Sequence, residues 1–343
     1  MLNERYREVL KDIIHAHITS GEPVSSRTIS KHGRQRLSSA TIRNVMVDLE
    51  ELELLRQPHT SAGRIPTEAA YRLYIEGLMG LQFLPVEERE HIDAVLQSVA
   101  GDPEQLMAAT THLLSELSHQ VGVVLTPALE DVILKSADFV SLGGKRVLCV
   151  VVATSGYADH LVVETEEALS RSELVRISNY MTETFAGLRL GDVRDALLER
   201  MDADRQDVGR WLSGAVTLAR QAIEVSPEQE VLVEGTHALL DLPELADIDQ
   251  VRRMLDTFAD KARLVKLLNK CLSGEGVRVV LGEDSDVTSE LDFSLVATTY
   301  GVGRNAQGCL GIIGPARMEY RRMVPLVRFL GESLSNALST SNQ

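Results

Sequence analysis

The chain has 343 residues, a formal net charge of −15, 44% hydrophobic and 25% charged residues, and three cysteines. That is a soluble globular composition, too long for one ordinary core, so two or three domains are expected. The odd, widely spaced cysteines exclude a disulfide framework or paired-cysteine metal site, and the lack of a signal peptide or a membrane-length apolar run points to the cytoplasm.

The first predicted helix is capped by Asn3 and striped by Tyr6, Val9, Leu10, Ile13 and Ile18 at three- and four-residue steps, ending at Gly21 and Pro23. A short second helix over residues 26–32 follows Ser25, with Gly33 as its turn. Ser38 or Ser39 caps a third, whose inward stripe is Ile42, Val45, Met46, Leu49 and Leu52. Its opposite face presents Ala40, Arg43, Asn44 and Val47. Two strand-like pieces around a tip at 58–63 complete a winged helix–turn–helix pattern. Thr67 then caps a connector helix to about residue 79, and a looser stretch over 80–90 marks a boundary.

A further helix runs through Leu106, Leu113, Leu114 and Leu117. Strands follow at 132–142, 146–154 and 160–165, the first two joined at Gly143-Gly144. Three helices come next, the first opened by a Ser170/Glu173 capping box and the last containing Trp211, Leu212, Ala215 and Leu218. One long helix over 248–272, strands at 277–282, 293–300 and 308–313, and a final amphipathic helix close the chain. The fold class is α+β: a DNA-binding unit at 1–80, a discontinuous body at 104–170 and 231–343, and an inserted helical block at 171–230.

Charge is distributed unevenly. Residues 1–80 hold 11 of the 35 basic and 10 of the 50 acidic residues, and residues 23–47 hold five cations and no acid. Such an island on an acidic body suits duplex DNA. A recognition helix sets Ala40, Arg43 and Asn44 against base edges: Arg43 suits a guanine, Asn44 an adenine. Ser38, Ser39 and Thr41 at the helix start suit phosphate, with Arg27, Lys31, Arg34 and Arg36 flanking the backbone and His59, Ser61 and Arg64 forming a wing tip. The rival is a trihelical module whose basic face serves protein contact.

The other motifs carry less. Gly301-Val302-Gly303-Arg304-Asn305-Ala306 mimics a dinucleotide fingerprint, but the glycine-rich apolar run after it suits the return strand of a hairpin. His15 and His17 diverge on their helix, and Asp284-Ser285-Asp286 lacks the glycine and distant Glu of a calcium loop. No catalytic constellation or cofactor is expected. The Trp211, Leu212, Ala215, Leu218 face is either the block's own core or a surface shared with a second subunit, and two-fold DNA reading favours the latter.

The runs ATIRNVMVDLEELELL at 40–55, QPHTSAGRIPT at 57–67 and GPARMEY at 314–320 resemble the heat-inducible transcription repressor HrcA family, over essentially the whole chain. Glu53 stands where that family often has glycine. The resemblance implies a winged helix, a GAF-like body and an inserted dimerisation domain. It implies repression of chaperone operons by a homodimer at an inverted repeat called CIRCE, with activity supported by the GroEL chaperonin and lost on heat shock. A metabolite-responsive GAF-type regulator is the alternative.

Overall fold

The computed structural model describes residues 2–33, 37–59, 62–80, 83–154, 156, 158–165, 167–203, 229–241, 248–272, 274, 276–285, 288, 293–302 and 306–340. Its N-terminal unit packs α1 (Glu4–Ser20), α2 (Ser26–His32) and α3 (Ser39–Glu51) around Leu10, Ile13, Ile29, Ile42, Val45 and Leu49, all buried. Side chains of Asn3, Ser25 and Ser38 cap the three helices by accepting from the backbone N–H three residues on. Strands β1 (Leu55–Arg56) and β2 (Ile65–Pro66) pair antiparallel. Thr67 caps α4 (Glu68–Leu73), which continues through one wider turn, Tyr74–Leu78.

Helix α5 (Val86–Ser98) begins inside the stretch over 80–90 expected to be a loose boundary. Only Ile92 and Leu96 of it are buried, a stripe too short to stand out against its charged residues. It packs on the C-terminal helix, where Ser333 Oγ donates to Asp93 Oδ1 at 2.9 Å.

The body is a five-stranded antiparallel sheet. Its strands are β3 (Val121–Leu125), β7 (Val231–Glu234), β8 (Arg278–Leu281), β9 (Phe293–Val302) and β10 (Ala306–Pro315), in the order β7-β3-β10-β9-β8. Alternate residues face opposite ways. Val124, Val296, Tyr300, Leu310 and Ile312 join the cluster under α6 (Pro103–Ser118) and α11 (Tyr320–Thr340). Val123, Leu125, Leu295, Ala297, Cys309 and Ile313 meet Leu264, Leu267, Leu268 and Cys271 on the other side. Those four lie on α10 (Lys261–Leu272), which is separate from α9 (Ile248–Ala259). The single helix expected over 248–272 is therefore two. Asp260 restarts it, its carboxylate accepting from Arg263 N at 3.2 Å as a cap does.

Strand pairing also divides the strands between two sheets. β3 pairs directly with β7, and Thr126 N donates to Glu230 O at 2.9 Å, so the chain leaves and re-enters the sheet at one place. Strands β4 (Leu134–Gly143), β5 (Arg146–Ala153) and β6 (Ala158–Glu164) form their own sheet, β4-β5-β6. Helix α7 (Arg171–Phe185) covers one face of it, with the Ser170/Glu173 capping box formed. Phe139, Val147, Cys149 and Val163 are buried there with Leu174, Ile177, Met181 and Phe185. Helix α8 (Leu190–Ala203) follows. Trp211, Leu212, Ala215 and Leu218 lie outside the described residues.

Candidate nucleic-acid interface

Helix α3 is held so that one face stays free. Ser30 Oγ donates to Leu37 O at 3.0 Å and closes the α2–α3 turn, while the Ser26 and Ser39 hydroxyls meet at 3.1 Å. With Ile42, Val45, Met46 and Leu49 turned into the core, Ala40, Arg43, Asn44 and Val47 face solvent. Arg27 and Lys31 on α2 are exposed as well. Among the described residues none of Arg27, Lys31 and Arg43 makes an ion pair. Asp48, on the same helix, accepts from Tyr6 OH, which holds that phenol above its ordinary pKa.

Ser38 is exposed and caps α3 through Thr41 N at 3.1 Å; its hydroxyl also meets that of Thr41 at 2.9 Å. Ser39 and Thr41 are half-buried, so the helix start offers backbone N–H groups and three hydroxyls together. His59 is exposed at the hairpin. Ala62 N donates to His59 O at 2.9 Å and Gln57 Nε2 to Ala62 O at 3.1 Å, which closes the tip. Gly63 is needed below it, because a Cβ there would lie 2.4 Å from Val24 O. Arg34, Arg36 and Ser61 lie outside the described residues.

Arg64 does not reach outward as expected of a wing residue. Its backbone bridges Val24 through two hydrogen bonds of 2.8 and 2.9 Å, and its guanidinium pairs with Glu50 on α3 at 2.8 Å. An ion pair half withdrawn from solvent braces the hairpin and has its charge already matched. Arg56 takes the exposed place: Leu55 beside it is buried, so strand alternation turns Arg56 out. The buried–exposed period of LLRQ was the available signal for it.

Elsewhere the chemistry is structural. All three cysteines are buried. Burial pushes the Cys149 thiol up to about 12, and a hydrogen bond with Cys271 together with burial raises that of Cys309. Neither is a nucleophile at neutral pH. No group of metal-ligating side chains occurs among the described residues, and no helix among them is long and apolar enough to cross a membrane.

Three capped helices with unpaired cations on the second and third, ahead of an acidic α+β body, have the layout of a transcription regulator. The family described as "HrcA protein C terminal domain" matches residues 104–324. The heat-inducible transcription repressor HrcA of Geobacter sulfurreducens is 37% identical over 337 residues, covering 98% of both chains. That of Syntrophobacter fumaroxidans is 38% identical over 339 residues, covering 98% of this chain and 97% of its own. A crystal structure described as a hypothetical protein aligns over 99% of this chain and 100% of its own, with a TM-score of 0.62 at 23% identity. The chain belongs to the HrcA family of heat-inducible transcription repressors.

Proposed function

We propose that this protein is a winged-helix repressor of heat-shock chaperone operons, binding as a homodimer to the CIRCE inverted repeat. The observation that carries the DNA reading is the solvent face of α3, where Arg43 and Asn44 stand exposed beside the capped helix start and the Arg27 and Lys31 cations. Arg43 and Asn44 read base edges in the major groove, and the α3 N-terminus and α2 cations hold phosphate. Arg56 and His59 follow the neighbouring groove.

The five-stranded sheet with helices on both faces serves as the GAF-like body, and the β4-β5-β6 unit as the dimerising insertion. In favour of the latter, Val140 and Val162, which flank Leu148 in one cross-strand row, are 50% and 45% exposed on the sheet face away from α7. That is an apolar strip of the kind a second subunit covers. Heat acts through the active fraction: a loss of about 1–2 kcal/mol changes active protein several-fold, and the GroEL chaperonin restores it.

Footprinting of the full-length protein on its own genomic DNA, with and without chaperonin, tests the whole reading. Protection of an inverted repeat upstream of chaperone genes, extended to higher temperature by chaperonin, is expected. Absence of any protected repeat removes the proposal.

A further inference from the structure

A cleft of about 510 Å³ lies where the N-terminal unit meets the body. His15 and Tyr74 line it from α1 and the turn after α4, His119 from the end of α6, and Arg317, Arg321 and Arg322 from the β10–α11 connection and the start of α11. Its size suits a metabolite. Its charge is the reverse of the protein's: Arg317, Arg321, Arg322, His15 and His119 line it against one acid, Glu319.

Two of these cations are only partly satisfied. Arg322 pairs with Glu88 at 3.3 Å while its Nε is buried without a partner. Arg321 is half-buried and makes no ion pair among the described residues. Arg321 and Arg322 stand in the first turn of α11, which has no acid, so they add to the positive end of the helix instead of opposing it. In a chain of net charge −15, a cavity lined by Arg317, Arg321 and Arg322, with Arg321 making no ion pair among the described residues, is locally positive and draws an anion.

We propose that this cleft binds a small anion, a metabolite bearing a phosphate or carboxylate group, with Arg321 as its principal contact. The cleft walls belong to both units, which touch within it through Arg317 Nη1 donating to Ile18 O at 3.3 Å, and also through the Tyr71 and Tyr320 rings 5.9 Å apart and the Arg72–Asp284 pair at 2.8 Å. An occupant that contacts both walls stabilises this arrangement of the two units and so couples to whatever the N-terminal unit binds. That coupling rests on the DNA reading above; anion binding does not.

The test is a thermal melt of the full-length protein against sodium phosphate and, separately, sodium malonate, with chloride matching ionic strength. A saturable rise is expected, about 5 °C at a hundredfold excess over half-saturation. It should vanish in Arg321→Gln, return in Arg321→Lys, and persist in Arg328→Gln on the exposed face of the same helix. Saturation by phosphate alone names a phosphorylated ligand, and by malonate alone a dicarboxylate. Because phosphate also suits the α3 face, the Arg27→Gln/Arg43→Gln double variant is melted alongside. Loss of the effect there with retention in Arg321→Gln overturns the proposal, as does a response no larger than that to chloride.

Discussion

Arg64, just before the strand that returns from the hairpin tip, places its guanidinium 2.8 Å from the carboxylate of Glu50, one turn past Val47 on α3. The pair joins the hairpin to the helix that presents Arg43, and with 19% and 33% of the two side chains exposed it is partly shielded from solvent screening. As a brace, Arg64 and Glu50 act as a unit. Arg64→Gln and Glu50→Gln should each destabilise the protein by about 0.5–1 kcal/mol, and the double variant by little more than either. The slope of log affinity for DNA against log salt should stay unchanged in both. A slope that falls by about one in Arg64→Gln alone identifies a phosphate contact and removes the brace.

Arg43 and Arg27 should separate base reading from phosphate binding. Arg43→Ala is expected to cost about 1–3 kcal/mol of operator affinity and relax preference at one base pair. Arg27→Ala should weaken all sequences alike and lower the salt slope by about one. Competition binding with single-base operator variants at several salt concentrations measures both. Identical base profiles for wild type and Arg43→Ala would place the recognition surface elsewhere.

The N-terminal unit was legible in sequence because its signals are local. Asn3, Ser25, Ser38 and Thr67 each cap the helix that starts beside them, and the stripe from Ile42 to Leu49 needs only helical period. What escaped depends on partners far along the chain. The strands at 134–164 carry the same alternation whether they extend the main sheet or form their own; only the pairing of Leu125 with Val231 decides it. Arg64 looks like any wing arginine until Glu50 is seen beside it. The cleft gathers residues from His15 to Met323, and no periodicity joins them. The helix break at Asp260, an N-cap residue inside an otherwise continuous stripe, was a local signal passed over, as was the period that exposes Arg56.

Glu53 occupies a position that favours glycine. It ends α3 with φ +58°, in the left-handed region, while Leu54 N donates to Leu49 O at 2.9 Å and Glu53 N to Glu50 O at 3.0 Å. Those two bonds form the Schellman arrangement with Glu53 at its left-handed residue. A non-glycine there pays about 1–2 kcal/mol of local strain, offset in part by the greater freedom glycine has when unfolded. Glu53→Gly should therefore raise stability by about 0.5–1 kcal/mol, with Glu53→Ala giving no such gain. Urea unfolding followed by circular dichroism measures the pair. A destabilised Glu53→Gly would show that the turn into the hairpin is not left-handed.

His112 on α6 ties the body's helix layer to β7, the strand at which the chain returns from the insertion. Its Nδ1 lies 2.7 Å from Glu234 Oε1, and that hydrogen bond, with a smaller contribution from Glu116, raises the imidazole pKa despite some desolvation. Since the folded-state value lies above the unfolded value of about 6.5, protonation favours the folded protein. The contribution is complete below pH of about 6.5 and disappears as pH climbs through the folded-state value. The His112 side chain is 59% exposed, so screening holds the effect to a few tenths of a kcal/mol, about 0.3. Melts of wild type and His112→Gln at low salt should differ most at pH of about 6 and converge above pH of about 8, with high salt shrinking the gap. A gap that widens as pH rises would mean that neutral, not protonated, His112 is the form the fold prefers.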